Sequence, residues 1–521
     1  SAEYGRAIGG IVNTVTRSGT NDLHGTAFWF FRNRTLDARD PFASFNPSEY
    51  RHQFGGSISG PIVKDKLFYF LNTEEQIRNF PLLSSIINPA VINSNARTWV
   101  GCGAPATPQQ CSAINGTLTR FFGTLPRTAD QQTALGKIDW RPNDKNSFSF
   151  DLNYQHFNSP NGIQTGAVVT NGGALNGNGI DNVNVRYGRA DWTYAPTGNL
   201  VNEARFGWYK DRQSDSVNSA LLDPVFGALS VTVNGQSIGG ANYLPRVQPS
   251  ENNFEGADNL SYTVGKHNFK FGVDYLHSED YTNQLLNGNG SYSFPNATAF
   301  ALDYSGNTSG RKDYSSYTQG FGNRIVDTTL QNFSFYAQDQ YRLSPQLTLY
   351  YGLRYEHTFI QQPPVVNSDY PQTGRIPTDA LNLAPRVGFA WSLNNNKTVI
   401  RSGYGIYYAR YPGAMINSLF STNNLYQQTL SIQTSNAAQA PLGPVFPNVF
   451  STPPPVKAGL GTVGFAAPNL RTPYSEQADF AVQQALGSNT SITVSYLWSR
   501  AAEMFTVRDL NMGAPTHSIA Y

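Results

Sequence analysis

The chain has 521 residues, enough for several ordinary domains or for one large architecture; only 14% are charged and 13% are aromatic, with 29 Tyr and 32 Phe. That charge content lies well below the roughly 25% of an average soluble domain, so much of the surface is expected not to face water, although mean hydropathy is −0.39. A formal net charge of +2 gives no field for nucleic acid or another polyanion, and apolar runs such as residues 28–31 fall far short of the ~18 residues of a membrane-spanning helix.

The opening S-A-E-Y-G-R-A-I-G-G-I-V-N-T-V-T-R-S-G-T-N-D-L-H-G alternates apolar and polar residues from Ile11 to Val15 and meets turn residues at 18–21. It reads as a strand already under way, then a turn. Further on, V-G-C-G-A-P-A-T-P-Q-Q-C places Cys102 and Cys111 in a stretch of Gly, Pro, Gln and Ala. A zinc site wants four ligands, so the setting suits a loop-closing disulfide of an oxidising compartment better, with two free thiols as the alternative.

The apolar period is then two almost everywhere. From Lys145, residues Phe148, Phe150, Leu152 and Tyr154 take one parity, and Ser147, Ser149, Asp151, Asn153 and Gln155 the other. From Val201, Glu203 and Arg205 oppose Ala204, Phe206 and Trp208. From Lys266, Phe269, Phe271, Val273 and Tyr275 oppose Asn268, Lys270, Gly272 and Asp274. From Gln346, Leu347, Leu349, Tyr351, Leu353 and Tyr355 oppose Thr348, Tyr350, Gly352, Arg354 and Glu356. Near the end, S-I-T-V-S-Y-L-W puts Ile492, Val494, Tyr496 and Trp498 on one side. One face of each strand is greasy and the charges lie on the other. A soluble β-sandwich gives the same alternation, so parity alone does not decide.

The connections do. Short polar turns at 59–66, 141–146, 195–200, 264–268, 342–347, 393–398 and 485–490 have hairpin chemistry. Between them lie long segments rich in Asn, Gly, Ser, Thr and Pro, at 34–50, 79–132, 158–183, 211–253, 278–330, 358–384 and 411–473. One rim of tight turns and one rim of long loops is the layout of a transmembrane antiparallel β-barrel of the outer membrane, with periplasmic turns and extracellular loops. The bilayer core offers no water to backbone groups, so strands there must pair into a ring. Tyr and Phe near the strand ends fit interfacial girdles. Roughly fifteen spanning strands are expected, against ~22 in plugged transporters, so the ring reads as unfinished.

The residues also carry a resemblance. E-Y-G-R-A-I-G-G-I-V-N-T-V-T-R-S-G-T-N-D-L-H-G, F-R-N-R-T-L-D-A-R and H-Q-F-G-G-S-I-S-G-P-I-V-K-D-K-L-F-Y-F, with S-F-Y-A-Q-D-Q-Y-R-L-S-P-Q-L-T-L-Y-Y-G-L-R-Y-E further on, resemble the junction of plug and barrel, and a barrel hairpin, in TonB-dependent receptors of the Oar-like branch. The resemblance implies that residues 1–20 are the C-terminal remnant of a plug domain and 21–521 a partial outer-membrane barrel. It assigns Gly9, Gly10, Asn13 and Thr16 to the last plug strand, His24 and Gly25 to the opening of the first barrel strand, and Gly60 and Pro61 to the first periplasmic turn. In that family substrate binds between outer loops and plug, and an inner-membrane partner pulls an N-terminal box. That box, most of the plug and any signal peptide would lie upstream of Ser1, so the chain is expected to be a fragment.

Nothing in the sequence assembles an active site. The seven His are scattered, with no H-E-x-x-H and no pair at ligand spacing on one element, and no cofactor is expected. G-G-S-I-S-G at Gly55 fails the spacing of a nucleophile elbow. N-G-G-A-L-N-G-N-G at Asn171 lacks the strand-to-helix setting of a phosphate loop and reads as a mobile outer loop. The Pro-rich run at Pro441 reads as a stiff extended loop. Asp151, Asp274 and Glu356, on the polar parity, are expected to pair with Arg or Lys across the lumen wall. The outer loops show no cluster of Arg, or of Trp with carboxylates, assignable to a substrate.

Three functions remain open. The first is energised import of a bulky nutrient, of which this chain is the central part. The second is a passive or export-type barrel or a surface adhesin, and the third a soluble secreted binding protein. Expected partners are outer-membrane lipid, an unknown bulky substrate at the outer loops, and an inner-membrane energy-coupling protein reached only through the missing N-terminal region; nucleic acid is not expected.

Overall fold

The computed structural model describes residues 2–6, 12–39, 41, 46–85, 88–163, 169–171, 174–454 and 462–511. Fifteen long strands follow one another in chain order: β1 (His24–Asn33), β2 (Tyr50–Val63), β3 (Leu67–Asn79), β4 (Thr128–Asn143), β5 (Asn146–Ser159), β6 (Gly179–Thr197), β7 (Leu200–Val217), β8 (Glu251–Val264), β9 (His267–Asn283), β10 (Ile325–Arg342), β11 (Leu347–Ile360), β12 (Asn382–Leu393), β13 (Thr398–Tyr408), β14 (Tyr474–Ala485) and β15 (Ser491–Ala502). Each pairs antiparallel with the next in a single sheet, joined by the two-residue strand Arg246–Val247 between β7 and β9. Among the described residues β1 pairs with β2 alone, and β15 with β14 alone.

All seven expected tight turns close hairpins, from β2–β3 to β14–β15; the first long segment joins β1 to the first hairpin and the other six join each hairpin to the next. Three of the turns, at 64–66, 265 and 394–396, rest on residues that tolerate left-handed backbone. Gly265 sits at φ 56°, and Asn394, Asn395 and Asn396 at 51°, 52° and 68°. Strands of up to 19 residues exceed the ~9–11 that cross a bilayer. Near the tight-turn end Trp140, Phe148 and Trp192 stack on three adjacent strands with centroids 5.1 and 6.0 Å apart, as an interfacial girdle requires.

The polarity of the sheet is the reverse of a soluble sandwich. Leu152 is 67% exposed and Val273 56%, whereas Asp151 on the other parity is 5% exposed and Arg354 1%. Apolar side chains cover the outside and polar ones fill the inside, so the outer face finds its match only in hydrocarbon. No helix among the described residues is long and apolar enough to cross a membrane.

Two expectations shift. Gly60 and Pro61 lie within β2, opposite Tyr69 and Phe68, and the turn itself is Lys64–Lys66 with Asp65 at φ 64°. Proline has no N–H to give a ladder, and it is tolerated here because the register slips between Pro61 and Val63. Residues 12–20 form no strand among the described residues, since an extended segment becomes a strand only with a ladder partner.

The outer loops are far more built than expected. Helix α1 (Pro108–Phe121) opens with a capping box between Thr107 and Gln110. It packs with α2 (Ala297–Tyr304) over a five-stranded sheet of Gln236–Ser237, Ser230–Val233, Ser291–Phe294, Ser316–Gly322 and Gln427–Gln433. Trp99, Phe121, Phe226, Tyr292, Phe300 and Phe446 share its core. The Pro-rich run is tied into this cap, Tyr314 donating to Pro444 O at 2.8 Å and Lys312 to Pro441 O at 2.7 Å. Within the glycine-rich run, Leu175–Gly177 form a 3₁₀ turn whose Asn176 is buried and donates to Ile238 O at 2.7 Å. A third helix, α3 (Gly413–Ser421), lies against β10, Asn417 bonding Asp280, Thr282 and Thr328.

Candidate functional site in the barrel lumen

Every second residue of β7 to β12 points inward, and there the charged side chains meet the N-terminal segment. Glu3 pairs with Lys270 of β9 at 2.6 Å and Arg205 of β7 at 3.5 Å. Arg6 pairs with Asp274 of β9 at 2.7 Å and Glu255 of β8 at 3.2 Å. The backbone is held as well: Ala2 N donates to Gln338 at 2.7 Å, Arg6 N to Glu356 at 3.1 Å, and Tyr4 O accepts from Arg386 of β12 at 2.5 Å.

Arg354 of β11 is the hub. Its Nε donates to Glu356 and its Nη2 to Asp274, both at 2.6 Å, and its Nη1 reaches the carbonyls of Ala2 and Glu3 at 3.5 and 3.2 Å. The planar guanidinium suits this role because its donors diverge in fixed directions. Gly5 makes the approach possible, since a Cβ there would lie 1.8 Å from Glu356 Oε1.

The same segment touches the opposite wall. Thr16 donates to Asp151 of β5 at 3.2 Å and accepts from Lys137 of β4 at 3.1 Å, and Asn21 bonds Asp65 in the β2–β3 turn. Residues 2–6 and 12–21 therefore strap the lumen from β9–β12 to β2–β5. The arrangement holds a peptide across a passage by ion pairs and hydrogen bonds.

Of the site residues expected from sequence, Gly9 and Gly10 lie outside the described residues. Thr16 is a lumen contact, while Asn13 is exposed in the stretch without ladder pairs. His24 and Gly25 open β1. Cys102 and Cys111 form a disulfide at the start of α1. Asp274 and Glu356 are paired with Arg354, as expected, and Asp151 takes Thr16. Glu3, Arg6, Lys270 and Arg386 were not singled out. Parity placed Lys270 on the inner face, but nothing local says that it meets residues 2–6. Among the described residues no three His, Cys, Asp or Glu gather as a metal site.

Comparison with known proteins agrees with this geometry. The chain is similar over 161 residues, at 27% identity, to the TonB-dependent transporter Oar of Myxococcus xanthus, covering 29% of this chain and 14% of Oar. Its fold is similar to the outer membrane transporter YddB of Escherichia coli, with a TM-score of 0.59 at 13% identity over 96% of this chain and 54% of that one. It is also similar to a ferric enterobactin receptor, PfeA, of Pseudomonas aeruginosa, with a TM-score of 0.52 at 12% identity over 96% and 56%. The chain thus spans about half the length of these solved transporters and receptors and a small part of Oar. The model of the outer membrane beta barrel domain matches residues 15–81 and 73–520, and with its apolar exterior and charged lumen the chain belongs to that family of the Gram-negative outer membrane.

Proposed function

We propose that this chain is the central part of a TonB-dependent transporter that takes up a bulky nutrient, residues 1–20 being the end of its plug and 21–521 part of its barrel. The observation that carries this reading is the strap held across the lumen by Arg354, Asp274, Glu356 and Lys270. A passive pore has no use for a peptide tied across its passage. A plug that must release does, because contacts made largely of ion pairs and single hydrogen bonds come apart one at a time. Siderophore receptors among the structural neighbours make a ferric chelate one substrate class to test, beside oligosaccharides and peptides. Energy would come from an inner-membrane partner acting on residues upstream of this chain.

The test is uptake. A receptor-deficient host carrying the complete reading frame is offered labelled ferric siderophores, oligosaccharides and peptides, with and without an uncoupler of the proton gradient. Accumulation that stops on uncoupling supports the proposal. Accumulation that continues indicates the passive barrel, and none from any class, with whole cells adhering to a surface, indicates an adhesin.

A further inference from the structure

We propose that the extracellular end of β11–β14 and the outer face beside it form a binding site for a phosphorylated lipid of the outer leaflet. Two independent features meet there. The first is a polar cavity of about 490 Å³ between the β11–β12 and β13–β14 loops, lined by Arg375 and Arg471 with Gln362, Thr378, Asn469 and Asp379. Both arginines are exposed, and among the described residues neither guanidinium has a hydrogen-bond or ion-pair partner. The Asp379 carboxylate is occupied by the N–H of Leu381 at 3.0 Å. Two free guanidiniums over one cavity are a fork for an anion with several oxygens.

The second is an apolar groove of about 910 Å³ on the outward parity of β8–β11, bordered by Gly256, Val273, Phe333, Phe335, Tyr355 and His357. Gly256 opens it: a Cβ built there meets nothing within 4 Å. Neither aspartate along it is free: Asp258 accepts from Asn202 at 2.8 Å, and Asp274 is paired with Arg354 on the lumen side.

The two features share a wall. Tyr355 donates to Ala380 O at 2.9 Å and His357 bonds Asp379 O at 3.2 Å, so the groove's aromatic border is tied to the segment that lines the arginine cavity. An amphiphile with an anionic head and hydrocarbon tails fits both halves, and a soluble anion fits only one. The groove already faces lipid, and its arginine end is the end that carries the long loops, where outer-leaflet headgroups lie.

The experiment uses the protein extracted from its own outer membrane in non-ionic detergent. Native mass spectrometry follows added bisphosphorylated lipid A, the same lipid without phosphates, and inorganic phosphate as competitor. The expected result is retention of the phosphorylated lipid and a loss of about tenfold or more in affinity for Arg375→Ala/Arg471→Ala. Gly256→Leu, which fills the groove and leaves the arginines, is expected to weaken the lipid without changing phosphate binding. Equal retention of both lipids, equal retention by the arginine variant, or full competition by millimolar phosphate would overturn the proposal. Both arginines are exposed loop residues, so their replacement leaves the barrel folded, which unchanged heat-modifiability on gels verifies.

Discussion

Arg354 and Asp274 bond at 2.6 Å although they stand on β11 and β9, with the whole of β10 between them. The guanidinium passes Ser334 of β10, which it also bonds, and ends against the backbone of Ala2 and Glu3. One side chain therefore ties three strands and the strap together. Removing one partner of a buried ion pair strands the others, at about 3 kcal/mol. Arg354→Met is expected to lower the urea midpoint in detergent and to expose residues 2–6 to hydrogen exchange. Unchanged protection of those amides would contradict the role given to Arg354.

Gly5 gives a test that leaves the barrel wall untouched. Its missing Cβ is all that lets the segment pass Glu356 and the Arg354 Nε, which a Cβ would approach to 2.1 Å. Gly5→Val is expected to displace residues 2–6 and make them sensitive to limited proteolysis, while the barrel keeps its resistance. A cleavage pattern identical to wild type would mean that the segment is held elsewhere.

Neighbouring positions on β5 test the inverted polarity. Leu152 faces outward and Asn153 inward. Arginine on the lipid face near the midplane costs about 2–4 kcal/mol, whereas the lumen accepts charge. Leu152→Arg should therefore depress folding into vesicles far more than Asn153→Arg. Equal losses would contradict the assignment of faces.

Asp303 is expected to make the outer cap sensitive to pH. Burial first, and then the neighbouring Asp313 carboxylate, push it up to about 7, against the pull of the Asp313 N–H that bonds it at 3.0 Å. Between its ordinary value near 4 and about 7, the folded cap keeps a proton that the unfolded chain has released, so stability falls as pH rises through that window. Hydrogen exchange of the α2 amides, corrected for intrinsic rate, should quicken from pH 5 to pH 8 in wild type. In Asp303→Asn the change should vanish; a change that persists would locate the titration in another group.

The disulfide is expected to matter to the cap and not to the barrel. Cys102 and Cys111 close a short loop and pack at the edge of the cap core, where the chain-entropy model gives about 2–3 kcal/mol. Cys102→Ser/Cys111→Ser should speed protease cleavage around α1 and leave heat-modifiability unaltered. Loss of the folded barrel band would show coupling that the fold does not suggest.

Strand positions were legible because period two survives wherever one face meets lipid and the other the lumen, as in residues 147–155. Turn positions were legible from Gly265 and the run Asn394–Asn396, whose left-handed backbone is a local property. The Pro61 expectation failed because proline marks a turn only on average, and a slip in register accommodates it inside β2. The lumen site was half legible. Parity fixes the face on which Arg354 or Lys270 lies, but a partner such as Glu3, far away in the chain, leaves no trace in either local pattern. The cap was not legible at all. Trp99, Phe226, Tyr292 and Phe446 have no shared period and meet only after their loops converge, and Arg375 and Arg471 are separated by three strands.

The cap also sets an order of assembly. Its core draws on five of the seven loops, from Val91 on the β3–β4 connection to Phe446 on the β13–β14 connection. Barrel hairpins can zip up neighbour by neighbour, each closed by a few residues, but the cap is built from contacts of very high sequence separation, which form slowly. Its aromatic core is thus complete only when the β13–β14 connection, which brings Leu430, Ile432 and Phe446, has joined the other four loops. Until then the aromatic side chains of the other loops lack part of their cover, and such transiently exposed apolar surface is what makes incompletely folded states aggregate.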